Sequence, residues 1–236
     1  MVMSMTNYKC ILFDFDYTLF DSSSGIVKCF KYALKKLDKE TVDDDIIKKT
    51  IGKSLYISFV EICGKSSTLE YQIFRKYFIE ASRLYMVNNS VPYSFVFELL
   101  NWIKNNNIKT GIVTSKDRFT VEKILHKYKY DNLIDVIIGE EDVIFKKPSK
   151  IPLIKALKKL NINSDEALYI GDTIIDAQAA MNAKINFWAI LSNNSQQNDF
   201  ISFCSSKIYI FNSVKEVYDF LVLERGDNYG KDKICT

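Results

Sequence analysis

The sequence is poor in histidine, cysteine pairs and proline. Its one histidine, His126, lies in a helical pattern between Leu125 and Lys127, which disfavours a histidine-based zinc site and a Ser-His-Asp triad. The five cysteines are odd in number and include no C-x-x-C pair. A disulfide or zinc framework is therefore not expected, and the cysteine content favours a reducing cytoplasm.

Long apolar runs and a strong net charge are also missing. No stretch of about 18 apolar residues occurs, and the first residues lack the apolar segment of a signal peptide, so no membrane association is expected. The net charge is +3, from 32 basic and 29 acidic residues, and the lysines are scattered, which disfavours a nucleic-acid partner. We expect a cytoplasmic protein, either a monomer or a homodimer.

The 236 residues suit one α/β domain carrying a smaller insert. From Pro92 onward helical and strand patterns alternate, which predicts a Rossmann-like parallel sheet with helices on both faces. Residues 22–91 show only helical spacing, with predicted helices at 25–37, 45–62 and 68–87. We therefore predict an α/β core at 1–21 and 92–225, an all-helical insert at 22–91 and a frayed polar tail at 226–236.

Four aspartates follow predicted strands. Asp14 and Asp16 end the strand at 8–13 and, two residues apart, would point to the same side. Two such carboxylates repel each other unless a cation lies between them, and oxygen ligands suit Mg²⁺. Asp172 and Asp176 follow the strand at 167–170 and would share one helix face. Taken singly, each pair could equally be a polar loop or a helix cap.

Three further polar side chains also follow strands. Thr114 and Ser115 come after the strand at 108–113, where hydroxyl and amide groups can hold a phosphate oxygen. Lys147, next to Pro148, could neutralise phosphate charge. Each is weak evidence alone. Because the carboxyl ends of parallel strands meet at one crevice, all of these groups are expected to converge there.

These motifs together resemble those of the haloacid dehalogenase superfamily, in its phosphoglycolate phosphatase-like branch with a helical cap. The resemblance extends to about residue 223. Asp14-Phe15-Asp16-Tyr17-Thr18-Leu19 is similar to the family's D-x-D-G-T-L motif, with Tyr17 in place of glycine. The other matching segments are Val113-Thr114-Ser115, Lys147-Pro148 and Gly171-Asp172-Thr173-Ile174-Ile175-Asp176.

The resemblance implies a role for each motif residue. Asp14 would be the nucleophile that forms an aspartyl-phosphate, and Asp16 the general acid and then the base. Thr114 and Ser115 would hold the phosphoryl group, and Lys147 would offset its charge. Magnesium would be bound by the side chain of Asp14, the backbone carbonyl of Asp16, and the two acids of the last motif, Asp172 and Asp176.

The helical insert would be the family's mobile cap. Its segment Ile51-Gly52-Lys53-Ser54 is expected to bring Lys53 to the substrate. This segment also matches the end of a nucleotide P-loop, but the first glycine of that motif would fall on Ile47, so we reject the P-loop reading.

The expected function is Mg²⁺-dependent hydrolysis of a small phosphorylated metabolite, a phosphate monoester. Two enzyme alternatives remain open: a pyrophosphatase or nucleotidase, and a β-phosphoglucomutase-type mutase. A regulatory binding protein that kept the fold is a third alternative, which the replacement of glycine by Tyr17 motivates.

Overall fold

The computed structural model describes residues 8–64, 66–203 and 208–225 of the chain. The strands are β1 (Cys10–Phe13), β2 (Phe20–Asp21), β3 (Val91–Pro92), β4 (Lys109–Val113), β5 (Val136–Ile138), β6 (Ala167–Gly171), β7 (Asn186–Ile190) and β8 (Tyr209–Phe211). The helices are α1 (Ser23–Lys36), α2 (Asp44–Lys48), α3 (Leu55–Cys63), α4 (Thr68–Tyr85), α5 (Val96–Asn105), α6 (Arg118–Tyr128), α7 (Ile151–Leu160), α8 (Ile174–Ala183), α9 (Gln197–Phe203) and α10 (Val214–Arg225). None of the described helices has the length and apolar character needed to cross a bilayer.

Six strands form one parallel sheet in the order β5-β4-β1-β6-β7-β8. The four residues of β1 are fully buried, as expected for an uninterrupted apolar strand with helices on both faces of the sheet. Ile11 and Phe13 pack with α5, α6 and α10 on one face, whereas Cys10 and Leu12 pack with α7 and α8 on the other. The predicted Rossmann-like α/β fold is confirmed.

Helices α1 to α4 lie in the chain between β2 and β3, and these two short strands pair antiparallel. The helices have a hydrophobic cluster of their own, in which Phe30, Phe59 and Phe74 are buried. The two connections between this helical segment and the sheet therefore run side by side. The division into core (1–21 and 92–225) and cap (22–91) stays a prediction, and the tail at 226–236 lies outside the described residues.

The structure differs from the predicted elements at several places. The predicted helix 45–62 is two helices, because Gly52 adopts φ +96° and the Ser54 side chain caps the second helix by accepting from the Ile57 amide. The predicted helix 68–87 ends at Tyr85. Residues 22–91 gave no strand pattern, yet Val91 begins β3. Helix α9 has no counterpart among the predicted elements.

Candidate active site

Asp14 and Lys147 form the centre of the site. Asp14 follows β1, and its amide donates to the Ile170 carbonyl at 2.9 Å, which continues the hydrogen bonding between β1 and β6. The Lys147 Nζ atom lies 2.9 Å from Asp14 Oδ1 and 2.6 Å from Asp176 Oδ1. All three side chains are buried. One ammonium group therefore links the acid after β1 to the acid on α8, as the convergence of strand ends predicted.

Tyr169, in the middle of β6, supports this arrangement and was not predicted. Its hydroxyl lies 3.0 Å from the Lys147 Nζ atom, 3.0 Å from the Val113 carbonyl oxygen and 2.8 Å from Asp176 Oδ1. It accepts from the lysine and can donate to either oxygen. The available signal was a tyrosine inside an otherwise apolar strand, because a buried phenol needs a polar partner.

The N-terminus of α8 holds Asp176 in place. Thr173 is the N-cap: its side chain accepts from the Asp176 amide, and the Asp176 carboxylate accepts from the Thr173 amide at 3.1 Å. A Cβ atom at Gly171 would lie 2.7 Å from the Asp176 Cβ atom, so only glycine fits there. Both oxygens of Asp176 already have protein partners, which leaves Asp14 and Asp172 better placed to bind a cation directly.

Asp172 is fully buried and incompletely satisfied. Its Oδ1 atom accepts from the Thr18 hydroxyl at 3.3 Å, and within the described residues its Oδ2 atom has no hydrogen-bond partner. Burial, followed by the charges of Asp176 and Asp14, raises the pKa of Asp172 well above its usual value. Burial likewise raises the pKa of Asp14 to about 7, although the charge of Lys147 opposes this shift.

Carboxylate oxygens of Asp14, Asp172 and Asp176 lie within 4.8 Å of one another. A buried acidic cluster with an unpaired oxygen is a poor structural element without a counter-charge, since like carboxylates repel in a medium of low dielectric constant. Three carboxylates in one pocket are an oxygen-rich donor set that suits a hard divalent cation. The residues present therefore fit a metal ion at the position that the sequence predicted.

Asp16, two residues after Asp14, contacts a lysine whose role the sequence did not predict. Its Oδ2 atom is 3.1 Å from the Lys116 Nζ atom, and both side chains are nearly buried. Its Oδ1 atom is buried and has no hydrogen-bond partner among the described residues. Lys116 directly follows the Thr114-Ser115 pair at the end of β4, and this position was the only cue to its role.

Thr114 and Ser115 lie at the same edge of the sheet. The Thr114 hydroxyl accepts from the Lys116 amide at 3.2 Å, and the Ser115 hydroxyl donates to the Gly52 carbonyl at 3.4 Å. Gly52 belongs to the loop between α2 and α3, so this loop touches the sheet edge. The structure thus brings Asp14, Asp16, Thr114, Ser115, Lys147, Asp172 and Asp176 together at the carboxyl ends of β1, β4 and β6.

A cavity of about 110 Å³ lies between this sheet edge and helices α1, α3 and α4. Its lining includes Asp14, Asp16, Thr114, Ser115 and Lys53. The Lys53 Nζ atom is paired with Glu61 of α3 at 2.7 Å. The predicted cap contact therefore faces the cavity but already has a carboxylate partner.

Tyr17 occupies the position where the motif has glycine. Its φ of +61° lies in the left-handed region, which explains why glycine suits this turn. The side chain is 3% exposed and belongs to the same hydrophobic cluster as α1 and α4. Tyr17 therefore joins the loop after β1 to the helical segment.

Comparison with known proteins identifies the family of this chain. The family model for haloacid dehalogenase-like hydrolases matches residues 11–190. A phosphoglycolate phosphatase of Aquifex aeolicus is 30% identical over 81% of this chain and 91% of its own length. Pyrophosphatase PpaX of Bacillus cereus strain Q1 is 32% identical over 73% of this chain and 78% of its own length.

A solved structure shares the fold. The crystal structure of a haloacid dehalogenase-like hydrolase from Bacteroides fragilis has a TM-score of 0.84 and 34% identity, and it covers 89% of this chain and 99% of that one. The chain belongs to the haloacid dehalogenase-like hydrolases. The predicted family is confirmed, and with it the expectation of a hydrolase.

Proposed function

We propose that the protein is a magnesium-dependent phosphatase that hydrolyses a small phosphate monoester, as a phosphoglycolate phosphatase does. The observation that carries the proposal is the buried Asp14 carboxylate, which Lys147 holds at the edge of the cavity beside two further aspartates. A carboxylate fixed in position beside a cation is suited to attack phosphorus, because positioning and charge neutralisation dominate phosphoryl transfer.

In this mechanism an Asp14 oxygen attacks the phosphorus atom and the bond to the leaving oxygen breaks, which gives an aspartyl-phosphate. Asp16 donates a proton to the leaving oxygen and then removes one from a water molecule, whose oxygen attacks phosphorus as the bond to Asp14 breaks, so that inorganic phosphate leaves and the Asp14 carboxylate is restored. Its Oδ1 atom, which has no partner among the described residues, is the atom available for this transfer. Thr114 and Ser115 hold the phosphoryl oxygens, and Lys147 offsets their charge.

The proposed metal is Mg²⁺, bound by the side chains of Asp14 and Asp172 and the backbone carbonyl of Asp16, with Asp176 assisting through water. When bound, it neutralises negative charge on the phosphoryl group. The unpaired Oδ2 atom of Asp172 supports this assignment. When all are ionised, four aspartates and the two lysines Lys116 and Lys147 carry about two net negative charges, so an anionic substrate needs such a cation.

The size of the cavity favours a small leaving group. At about 110 Å³ it is well below the roughly 300–1,000 Å³ of sites for drug-sized ligands. The similarity to PpaX makes pyrophosphate a second candidate substrate. Lys53 remains a proposed substrate contact, although it would have to leave Glu61 to reach the ligand. A cytoplasmic location and a monomeric or homodimeric state complete the proposal.

The test is phosphate release from a panel of phosphate esters and pyrophosphate, with Mg²⁺ or with EDTA. The native protein, Asp14→Asn and the control Asp165→Asn would be compared. Asp165 is exposed in the loop before β6, at the opposite edge of the sheet from the site. We expect release that needs Mg²⁺, is lost in Asp14→Asn and is unchanged in Asp165→Asn.

Two results would overturn the proposal. If neither native protein nor variants release phosphate from any substrate, the mutase or the non-enzymatic alternative gains support instead. If Asp14→Asn, folded as judged by circular dichroism, retains native activity, Asp14 is not the nucleophile.

A further inference from the structure

Three cationic side chains line the cavity beside the catalytic groups: Lys53, Arg75 and Lys116. Two of them are paired, Lys53 with Glu61 and Lys116 with Asp16. Arg75, on α4, forms no salt bridge with any carboxylate of residues 8–64, 66–203 or 208–225. The cavity therefore contains one cation whose charge no described side chain neutralises.

The hydroxyl groups in the cavity wall are already engaged. Thr50 donates to the Ile47 carbonyl at 2.8 Å, and Ser58 donates to the Thr50 carbonyl at 3.1 Å. The Ser82 hydroxyl lies 3.1 Å from the hydroxyl of Thr120. The rest of the helical side of the wall is apolar, from Ile26, Phe30, Phe78, Ile79 and Met86. Arg75 thus supplies the main polar group on this side that is still available to a ligand.

The position of Arg75 also relates it to the loop that carries Lys147. After burial, its charge is the second cause that lowers the pKa of Lys146, the residue before Lys147. Lys146 is paired with Glu140, which also lines the cavity, so the charge of that carboxylate is already balanced by another residue. Arg75 therefore lies near the loop that carries Lys147, and it lines the same cavity as Asp14.

We propose that Arg75 is a specificity residue that binds an acidic group on the leaving group, a carboxylate or a second phosphate. A guanidinium presents a planar pair of donors that matches either anion. The inference rests on the proposed function and narrows its substrate class: the preferred substrate is a short phosphate ester or anhydride whose leaving group carries its own negative charge.

The experiment compares three substrates of similar size: 2-phosphoglycolate, pyrophosphate and 2-hydroxyethyl phosphate. The first two have anionic leaving groups and the third a neutral one. The value of kcat/KM would be measured with Mg²⁺ for the native protein, Arg75→Gln, Arg75→Lys and Arg83→Gln. Arg83 is the matched control, because it is an exposed arginine on the same helix but does not line the cavity.

For Arg75→Gln we expect the ratio of kcat/KM for an anionic leaving group to kcat/KM for the neutral one to fall by on the order of 10- to 100-fold, mainly because KM rises. This is the size of effect expected when a charge-assisted hydrogen bond is lost. Arg75→Lys should recover part of the preference, and Arg83→Gln should keep all of it. Whether phosphoglycolate or pyrophosphate is more affected identifies the acidic group. An equal loss on all three substrates, or the same loss in Arg83→Gln, overturns the inference.

A binding measurement separates this inference from the proposed function. In protein carrying Asp14→Asn, calorimetry with the same three compounds needs no turnover. The protein with both Asp14→Asn and Arg75→Gln is compared with the protein that has Asp14→Asn alone. If the second substitution weakens binding of the two anionic compounds but not of 2-hydroxyethyl phosphate, the role of Arg75 is supported even if the native protein releases no phosphate. Unchanged binding of all three compounds refutes that role even if the native protein is an active phosphatase.

Discussion

Replacing Tyr17 by glycine restores the residue that the motif usually has, yet we expect it to destabilise the protein. Two effects oppose each other at this position. The residue has φ +61°, where a side chain with a Cβ atom costs roughly 1–2 kcal/mol that glycine avoids. The tyrosine ring is also 3% exposed and packs in the hydrophobic cluster of α1 and α4.

The packing term is the larger one. Removing a buried aromatic side chain costs roughly 3–5 kcal/mol. After subtraction of the relieved backbone strain, Tyr17→Gly should lower the free energy of unfolding by about 2 kcal/mol. Because the lost contacts join the loop after β1 to the helical segment, the variant should also leave this segment less firmly held.

Urea unfolding followed by circular dichroism measures the difference. Tyr17→Phe is the control, since it keeps both the ring and the backbone strain and should change the unfolding free energy by less than about 1 kcal/mol. If Tyr17→Gly is as stable as the native protein or more stable, the relief of backbone strain is at least as large as the loss of packing, and the expected destabilisation is refuted.

Three further changes test other parts of the structure. Lys147→Met leaves buried carboxylates unpaired and should cost about 3 kcal/mol in urea unfolding; an unchanged midpoint would contradict this. In Gly52→Ala, at φ +96°, the new Cβ atom would lie 2.9 Å from the Thr173 Cγ2 atom, whereas in Gly64→Ala, at φ +73°, it would meet open space. Gly52→Ala should therefore raise KM more than Gly64→Ala, and equal effects of the two substitutions on KM would refute the contact. Burial raises the pKa of Asp14 in the folded protein to about 7, so protonation of Asp14 stabilises the metal-free protein in acid, and this stability is lost as the pH rises towards 7. Mg²⁺ should therefore raise Tm more at about pH 7.5 than at about pH 5.5. Equal Tm shifts at the two pH values would contradict this prediction.

Local sequence patterns predicted the sheet and its acids because the relevant signals are short in range. The apolar run ending at Phe13 and the alternation after Pro92 determine a parallel sheet, and such a sheet brings Asp14 and Asp172 to one edge. For the same reason Lys147 lies against Asp14 and Asp176, whereas the roles of these residues stay predictions.

The features that were missed depend on distant contacts. The pairing of Lys116 with Asp16 and the hydroxyl of Tyr169 beside Lys147 join residues that lie far apart in the chain. The interruption between α2 and α3 near Gly52 was missed for the same reason. The φ of +96° at Gly52 and the contact of Gly52 with Ser115 at the sheet edge arise only in the folded chain. Periodicity reports which face of an element is buried, not which polar groups meet there.

The proposed mechanism requires that Asp14 carries the phosphoryl group during turnover. The most direct test mixes the protein with excess substrate and Mg²⁺, quenches it in acid within the first turnover, and records the mass of the peptide that contains Asp14. We expect a phosphoryl group on this peptide that hydroxylamine removes and that is absent from Asp14→Asn. Phosphate release at the native rate by Asp14→Asn, with no phosphoryl group on this peptide in either protein, would contradict it.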